Sequence, residues 1–523
     1  MAADPIRVHF DEQEIDRIFA AVDQSNLPGA AVAIAIDSIP VYRKGFGRAN
    51  LELPALLTPS MRMRIASTTK HFTCLAYLLL CEDGKARIDD EIGLHVPGLH
   101  AVTARAKVRD LMGHVSGIRD VLSVTIGMHG INRPITERQM LAYYKTIDDA
   151  DFAAGTQWNY NNGAYMLLTA AVERISGGSL EEFLRERIFE PAGMLDTMLR
   201  RWDSDFVPNS AALHHREAAG NFTRNYLGME IAGAGGIVST MDDMLRWLQH
   251  MRTPVIGTAE TWALMRKPQR LANGTSTGYG LGLMTDVYRG VETLHHSGVV
   301  LGGNSQMITV PDAGLDISIA VNRSDVSAVA LALRVIDACV EGLDPAAAKA
   351  DYEKLTGTFL SASTGRVVSF SVKNDMHLMS VDGAAGMPVS PDAEGTLRLP
   401  AGLPLQFSAR SEGDGIVFVD FGNEDAMSAI ETDPEARLCA HAGTYRSDAL
   451  DTTITIAETP EMGRLHARGR HGFADYVLEP LTADIWRADH QSFPGLGAIV
   501  TFDVDGLIID FTRLRHVRFK RIG

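Results

Sequence analysis

One change of texture most constrains how this chain can fold. At Asp344-Pro345-Ala346 a mixture of helical and strand patterns gives way to short runs of period two broken by Gly, Asn and Asp. Val367 to Val372, the turn Lys373-Asn374-Asp375, Met376 to Val381 and Ile416 to Phe421 read as strands of an all-β module. A second module begins near His441, where Gly443-Thr444-Tyr445 repeats Gly357-Thr358-Phe359 and alternating residues such as Thr453 to Ile456 follow. A chain of 523 residues exceeds one ordinary core, so three domains are expected. Their bounds are 1–340, 348–435 and 438–523, the last two being small antiparallel β-barrels.

Residues 1–340 read as α+β. An amphipathic stretch from Glu12 to Ala21 precedes the apolar run Ala30 to Ile36 and its hairpin partner Val41 to Gly47. The middle is helical, with Ser67 to Cys81, Ala164 to Ile175 and a helix opened by the capping box Ser179-x-x-Glu182. Strands return at Leu294 to His296, Gln306 to Val310 and Leu315 to Val321, before a last helix from about Val326 to Gly342. The early hairpin and late strands can join one antiparallel sheet with a helical cluster beside it.

Several functions are disfavoured at once. A net charge of −16, from 65 acidic and 49 basic residues, repels polyanions, so nucleic acid is not an expected partner. The longest apolar stretch, Cys74 to Cys81, is far short of the ~20 residues a membrane span needs. The first residues lack the basic start and apolar run of a signal peptide, and four cysteines cannot form a disulfide scaffold. A reducing cytoplasm is the expected compartment, with Cys74 and Cys81 as buried thiols on one helix. The pairs His214/His215 and His295/His296 are neighbours in the chain and do not converge on one ion, so neither metal nor other cofactor is expected.

Three short motifs carry chemistry. Ser67-Thr68-Thr69-Lys70 opens a helical run and puts Lys70 one turn from Ser67, facing the same way. A serine hydroxyl needs a proton acceptor within reach, and a lysine serves once burial and nearby positive charge lower its pKa. Asn159-Tyr160-Asn161-Asn162-Gly163 forms a turn before the next helix, where Tyr160 can relay a proton and Asn162 can orient Lys70 and a substrate carbonyl. His296-Ser297-Gly298 ends an apolar strand, with Gly298 expected to admit substrate. Each motif also has a plain structural explanation: a serine N-cap, an Asn-Gly turn capping a helix, a satisfied histidine at a strand end.

In the order Ser-x-x-Lys, Tyr-x-Asn, His-x-Gly, these motifs resemble the serine β-lactamase and penicillin-recognising hydrolase superfamily, and within peptidase family S12 the D-aminopeptidase branch. Val108 to Gly117, Gly233 to Thr240 and Tyr279 to Leu283 resemble it as well. The resemblance implies an acyl-enzyme on Ser67, with Lys70 and Tyr160 handling protons and Asn162 and His296 lining the cleft. It places the oxyanion between the N–H groups of Ser67 and Val299, and brings a loop of the last barrel into the site. Relatives that anchor a substrate carboxylate use Lys where this chain has His296, which favours substrates presenting an amino end. In the stretch Trp486 to Gly495 the only acid, Asp489, is the candidate ammonium partner, with His490 as the alternative.

The expected activity is therefore release of N-terminal D-amino acids from peptides, amides or esters. An esterase or a β-lactamase/DD-peptidase-like hydrolase on the same site, and a non-catalytic penicillin-binding sensor, are the alternatives. The expected partner is a small peptide or amino-acid amide, with acylation by some β-lactams and a homodimer left open.

Overall fold

Strand Ala30–Ile36 shows how the first part of the chain is built. It pairs antiparallel with Leu315–Val321 on one side and Ile39–Phe46 on the other. Successive side chains point to opposite faces. Ala30, Val32 and Ile34 pack with helices Glu12–Phe19 and Ala328–Cys339, while Ala31, Ala33 and Ala35 join the core of the helical cluster. The alanines let helix Met241–Arg252 lie directly on the sheet. Six strands complete this antiparallel sheet, in the order Met284–Tyr288, Val291–Val300, Gly303–Val310, Leu315–Val321, Ala30–Ile36, Ile39–Phe46. The computed structural model describes residues 6–131, 133–217, 219–224, 226–345, 354–403, 405–458, 463–493 and 495–523.

The helical run after Ser67 is apolar almost all round because it is the centre of the cluster. Every residue from Lys70 to Leu80 of helix Lys70–Glu82 is buried, and helix Asn162–Ser176 packs beside it. A 3₁₀ turn, Ala66–Thr69, leads into it. The capping box at Ser179 forms, with Glu182 N–H donating to Ser179 Oγ at 3.3 Å and Ser179 N–H to Glu182 Oε2 at 3.1 Å. Its helix, Leu180–Leu184, continues as a wider turn over Arg185–Phe189. Strand Val291–Val300 is longer at both ends than its apolar core suggests, because Ser297 to Val300 pair with Gly303 to Gln306 across a hairpin at Leu301-Gly302.

Two β units follow. Nine antiparallel strands between Gly357 and Ile430 form a nearly closed sheet, and eight strands between Gly443 and Arg521 form a closed barrel. Each opens on its Gly-Thr-aromatic triplet, whose ring, Phe359 or Tyr445, points into its core. Ala346 of the linker, residues 348–353 and Pro494 lie outside the described residues. The closed barrel sits on helix Val121–His129: Tyr476 donates to Gly127 O at 2.7 Å, and the N–H of His471 donates to His129 Nδ1 at 2.9 Å. A Cβ on Gly127 would come within 2.8 Å of the Phe511 ring, so glycine is what lets the two surfaces meet.

Among the described residues no helix is long and apolar enough to cross a membrane. Cys74, Cys81, Cys339 and Cys439 are free, Cys74 being buried and Cys81 half-buried.

Candidate active site

The turn that presents Ser67 is tightly held. Ala66 adopts φ +49°, a left-handed conformation unusual for a residue with a Cβ. Ser305 Oγ donates to Ile65 O at 2.8 Å, and Thr68 Oγ1 donates to His296 O at 3.2 Å. These bonds tie the turn to two sheet strands. A Cβ at Gly298 would lie 2.1 Å from Ile65 O and 3.0 Å from Ala66 Cβ. Gly298 therefore admits the turn carrying the nucleophile, where the sequence suggested that it admits substrate.

Lys70 Nζ is fully buried and makes three contacts: Ser67 Oγ at 3.2 Å, Asn162 Oδ1 at 2.8 Å and Ala234 O at 2.6 Å. It also lies 4.7 Å from the centre of the Tyr160 ring and 5.1 Å from that of Tyr165. Burial removes the ammonium's water, and the positive charge of Arg513 opposes it further, so the lysine pKa falls well below its ordinary value. The Tyr160 side chain lies beside that of Ser67, and burial pushes its phenol pKa upward. Of the two candidate bases, burial favours a neutral amine on Lys70 and disfavours a phenolate on Tyr160.

The Asn-Gly turn divides its labour. Asn161 is the N-cap, its Oδ1 accepting from Ala164 N–H at 2.8 Å, while Asn162, the first helical residue, turns its amide to Lys70. His114, itself at φ +62°, accepts from the N–H of Asn161 through Nδ1 at 3.1 Å and packs 4.3 Å from the Tyr160 ring.

His296 is buried behind the strand with both nitrogens in use. Nδ1 donates to Ser297 O at 2.6 Å and Nε2 accepts from the Tyr279 hydroxyl at 2.9 Å. Burial, then the charge of Lys70, lowers its pKa to about 3, so the ring is neutral. It orders Tyr279, one wall of an aromatic cluster with Trp158, Tyr160 and Phe421. Val299 follows on the strand, its side chain exposed and its backbone paired in register with Asn304. Ser67 stands in the first turn of its helix, where N–H groups have no helical acceptor.

Asp489 is not brought to this cluster. It lies within strand Ile485–His490, and its carboxylate pairs with Arg487 at 3.0 Å on the same barrel face. Residues 486–490, expected in a loop, alternate buried and half-buried as a strand does, which fixes Asp489 on the outer side. His490 is buried, with Nε2 donating to Ile126 O at 3.2 Å. The barrel instead reaches the site through the turn between strands Gly506–Phe511 and Leu514–Arg521, where Arg513 sets its guanidinium carbon 4.8 Å from the centre of the Tyr160 ring. From the nine-stranded sheet Phe421 packs on Trp158, with ring centres 4.8 Å apart and planes tilted by 33°. Ala234 lies in a Gly-rich run whose close packing, Gly233 against Thr169 and Thr73, hinted at a backbone role. No local pattern marks Arg513 or Phe421.

A serine activated by a buried amine, at the start of a helix packed against an antiparallel sheet, is the arrangement of an acyl-transfer hydrolase. The family model described as Beta-lactamase matches residues 15–339, and the chain belongs to that family, as a serine hydrolase. Along nearly its whole length it is similar to curated relatives: 28% identical over 521 residues to the D-aminopeptidase of Brucella anthropi, covering 95% of each chain. It is likewise 28% identical over 520 residues to that of Brucella melitensis biotype 1, covering 95% of this chain and 96% of the relative. Among solved structures, the octameric penicillin-binding protein homologue from Pyrococcus abyssi has a TM-score of 0.59 at 21% identity, over 80% of this chain and 100% of that one. The D-amino acid amidase from Ochrobactrum anthropi SV3 complexed with L-phenylalanine has a TM-score of 0.53 at 22% identity, over 63% and 98%.

Proposed function

We propose that the protein cleaves the amide bond of small D-amino-acid derivatives, as an aminopeptidase or amidase, through an ester formed on Ser67. The observation that carries this reading is the contact of Ser67 Oγ with a buried Lys70 amine whose pKa is depressed. Neutral Lys70 takes the hydroxyl proton as Ser67 attacks the carbonyl, and Tyr160, still a phenol, hands its proton to the leaving nitrogen as it is reprotonated from the Lys70 ammonium, which leaves Lys70 neutral in the acyl-enzyme. Asn162 and Ala234 O hold the amine in line. The N–H groups of Ser67 and Val299 receive the oxyanion. Water then attacks the ester by the same proton route in reverse.

The names of the full-length relatives support D-configured amino-acid substrates. Rates on D-Ala and L-Ala p-nitroanilides, nitrocefin and a short-chain p-nitrophenyl ester, measured side by side, test the reading. The D-anilide is expected to exceed its L-isomer by more than about tenfold, a difference of ~1.4 kcal/mol in transition-state binding. Faster turnover of the ester or nitrocefin than of either anilide, with no stereochemical preference, would replace it.

A further inference from the structure

Arg513 stands apart from the other arginines around it. Arg119, 5% exposed, is paired with Asp149 at 2.5 Å and Asp151 at 2.9 Å. Arg515 is paired with Asp510 at 2.9 Å and Asp382 at 3.3 Å. No carboxylate among the described residues pairs with Arg513, although the chain carries sixteen more acidic than basic groups. Its guanidinium rests instead against Tyr160, whose side chain lies beside the nucleophile.

The backbone that carries it is fixed from three sides. Asn159 Nδ2, one residue before Tyr160, donates to Arg513 O at 3.1 Å. Thr512 Oγ1 donates to Val381 O at 3.0 Å, and the N–H of Arg515 donates to Asp151 at 3.0 Å. Arg119 clamps Arg515 O at 2.5 Å. A half-buried cation held so firmly beside the reacting groups, and left without an anion, is an incomplete ion pair.

We propose that Arg513 is the specificity residue for a substrate carboxylate lying near the scissile bond, completing that pair when substrate binds. The proposal rests on Ser67 as the nucleophile and adds the charge of the substrate. Its planar fork suits a carboxylate bidentately, and its central carbon lies 4.8 Å from the centre of the Tyr160 ring. Two sources supply that group: the free C-terminus of the residue released from a dipeptide, or the acidic side chain of the residue transferred to Ser67. Asp489 and an amino-end anchor have no part in this selectivity.

The test compares kcat/KM on two matched pairs, each measured at a pH where Lys70 is neutral: a D-alanyl dipeptide against its C-terminal amide, and D-glutamyl against D-glutaminyl p-nitroanilide. The wild type is expected to favour the charged member of one pair by about 10- to 100-fold, as a charge-assisted bidentate contact does. The favoured pair identifies the source. Arg513→Gln should erase that preference by lowering the charged member far more than the neutral one, and Arg513→Lys should restore part of it. Equal rates within both pairs in the wild type, or an equal loss on charged and neutral members in Arg513→Gln, would overturn the proposal and leave Arg513 as a prop for Tyr160. Labelling of both proteins with a neutral fluorophosphonate, read by mass, separates the two readings. No adduct on Ser67 removes the nucleophile assignment itself, whereas labelled Ser67 without charge preference removes only the role of Arg513. Arg513→Lys also serves if Arg513→Gln fails to fold.

Discussion

The nine-stranded sheet and the closed barrel begin with the same Gly-Thr-aromatic triplet, and each sends its last hairpin to the same short segment, Trp158 to Tyr160. In the sheet, the turn between Gly415–Asp420 and Asn423–Ile430 delivers Phe421, 2% exposed, against Trp158. In the barrel, the equivalent turn delivers Arg513 against Tyr160. One tip is apolar and seals the aromatic wall; the other is charged and half-open. Two copies of one architectural part thus divide support from selection, and the difference lies in a single side chain at each tip.

Both tips bear on catalysis only if Ser67 carries it. Ser67→Ala should lower kcat on the order of 10⁴- to 10⁶-fold on every substrate while leaving the melting curve in place. Retained turnover would make both hairpins irrelevant to the chemistry assigned to them.

Phe421→Ala should act on stability. Removing a buried ring costs roughly 3–5 kcal/mol, visible in thermal or urea unfolding, with the ratio of charged to neutral substrate rates unchanged. A changed ratio would dissolve the division between the tips.

The pH profile sharpens the contrast. Activity needs neutral Lys70, so it falls as pH drops through the Lys70 pKa, and Arg513 is one cause of that low pKa. Arg513→Gln should move this acid limb to higher pH by about 0.7 unit, given ~1 kcal/mol between charges several ångströms apart in a partly solvated site. Phe421→Ala should leave the limb where it is. A downward shift in Arg513→Gln would contradict the electrostatics described.

The smallest effect is expected at Asp489→Asn, within about twofold on any substrate, since its partner is Arg487 on the outer barrel face. A tenfold loss on a free-amine substrate alone would return the ammonium site to this strand and break the contrast built on Arg513.

What could be read from the sequence follows from range. Ser67 and Lys70 are one helical turn apart, and Asn161 caps the helix it precedes, so local spacing sufficed to place them. The alternating strands of both β units are likewise local, and so was the turn at Asn374-Asp375, where both residues have positive φ. Arg513 meets Tyr160 across some 350 residues, as the bond from Asn159 to Arg513 O records, and no periodicity encodes such a meeting. Asp489 was misplaced because a strand and a loop look alike where Trp-Arg-Ala-Asp-His alternates without a hydrophobic signal strong enough to set the register. In the sequence Gly298 reads as a point where substrate approaches, whereas in the fold the approaching group is the Ile65 carbonyl.

The barrel closes by pairing its first strand, Gly443–Ser447, with its last, Leu514–Arg521. Strand Leu514–Arg521 begins immediately after Arg513. The catalytic helices and the barrel share one hydrophobic core, with Val121 and Met128 on one side and Tyr476 and Phe511 on the other. The strand that closes the barrel is therefore also the strand that anchors Arg513 beside Tyr160.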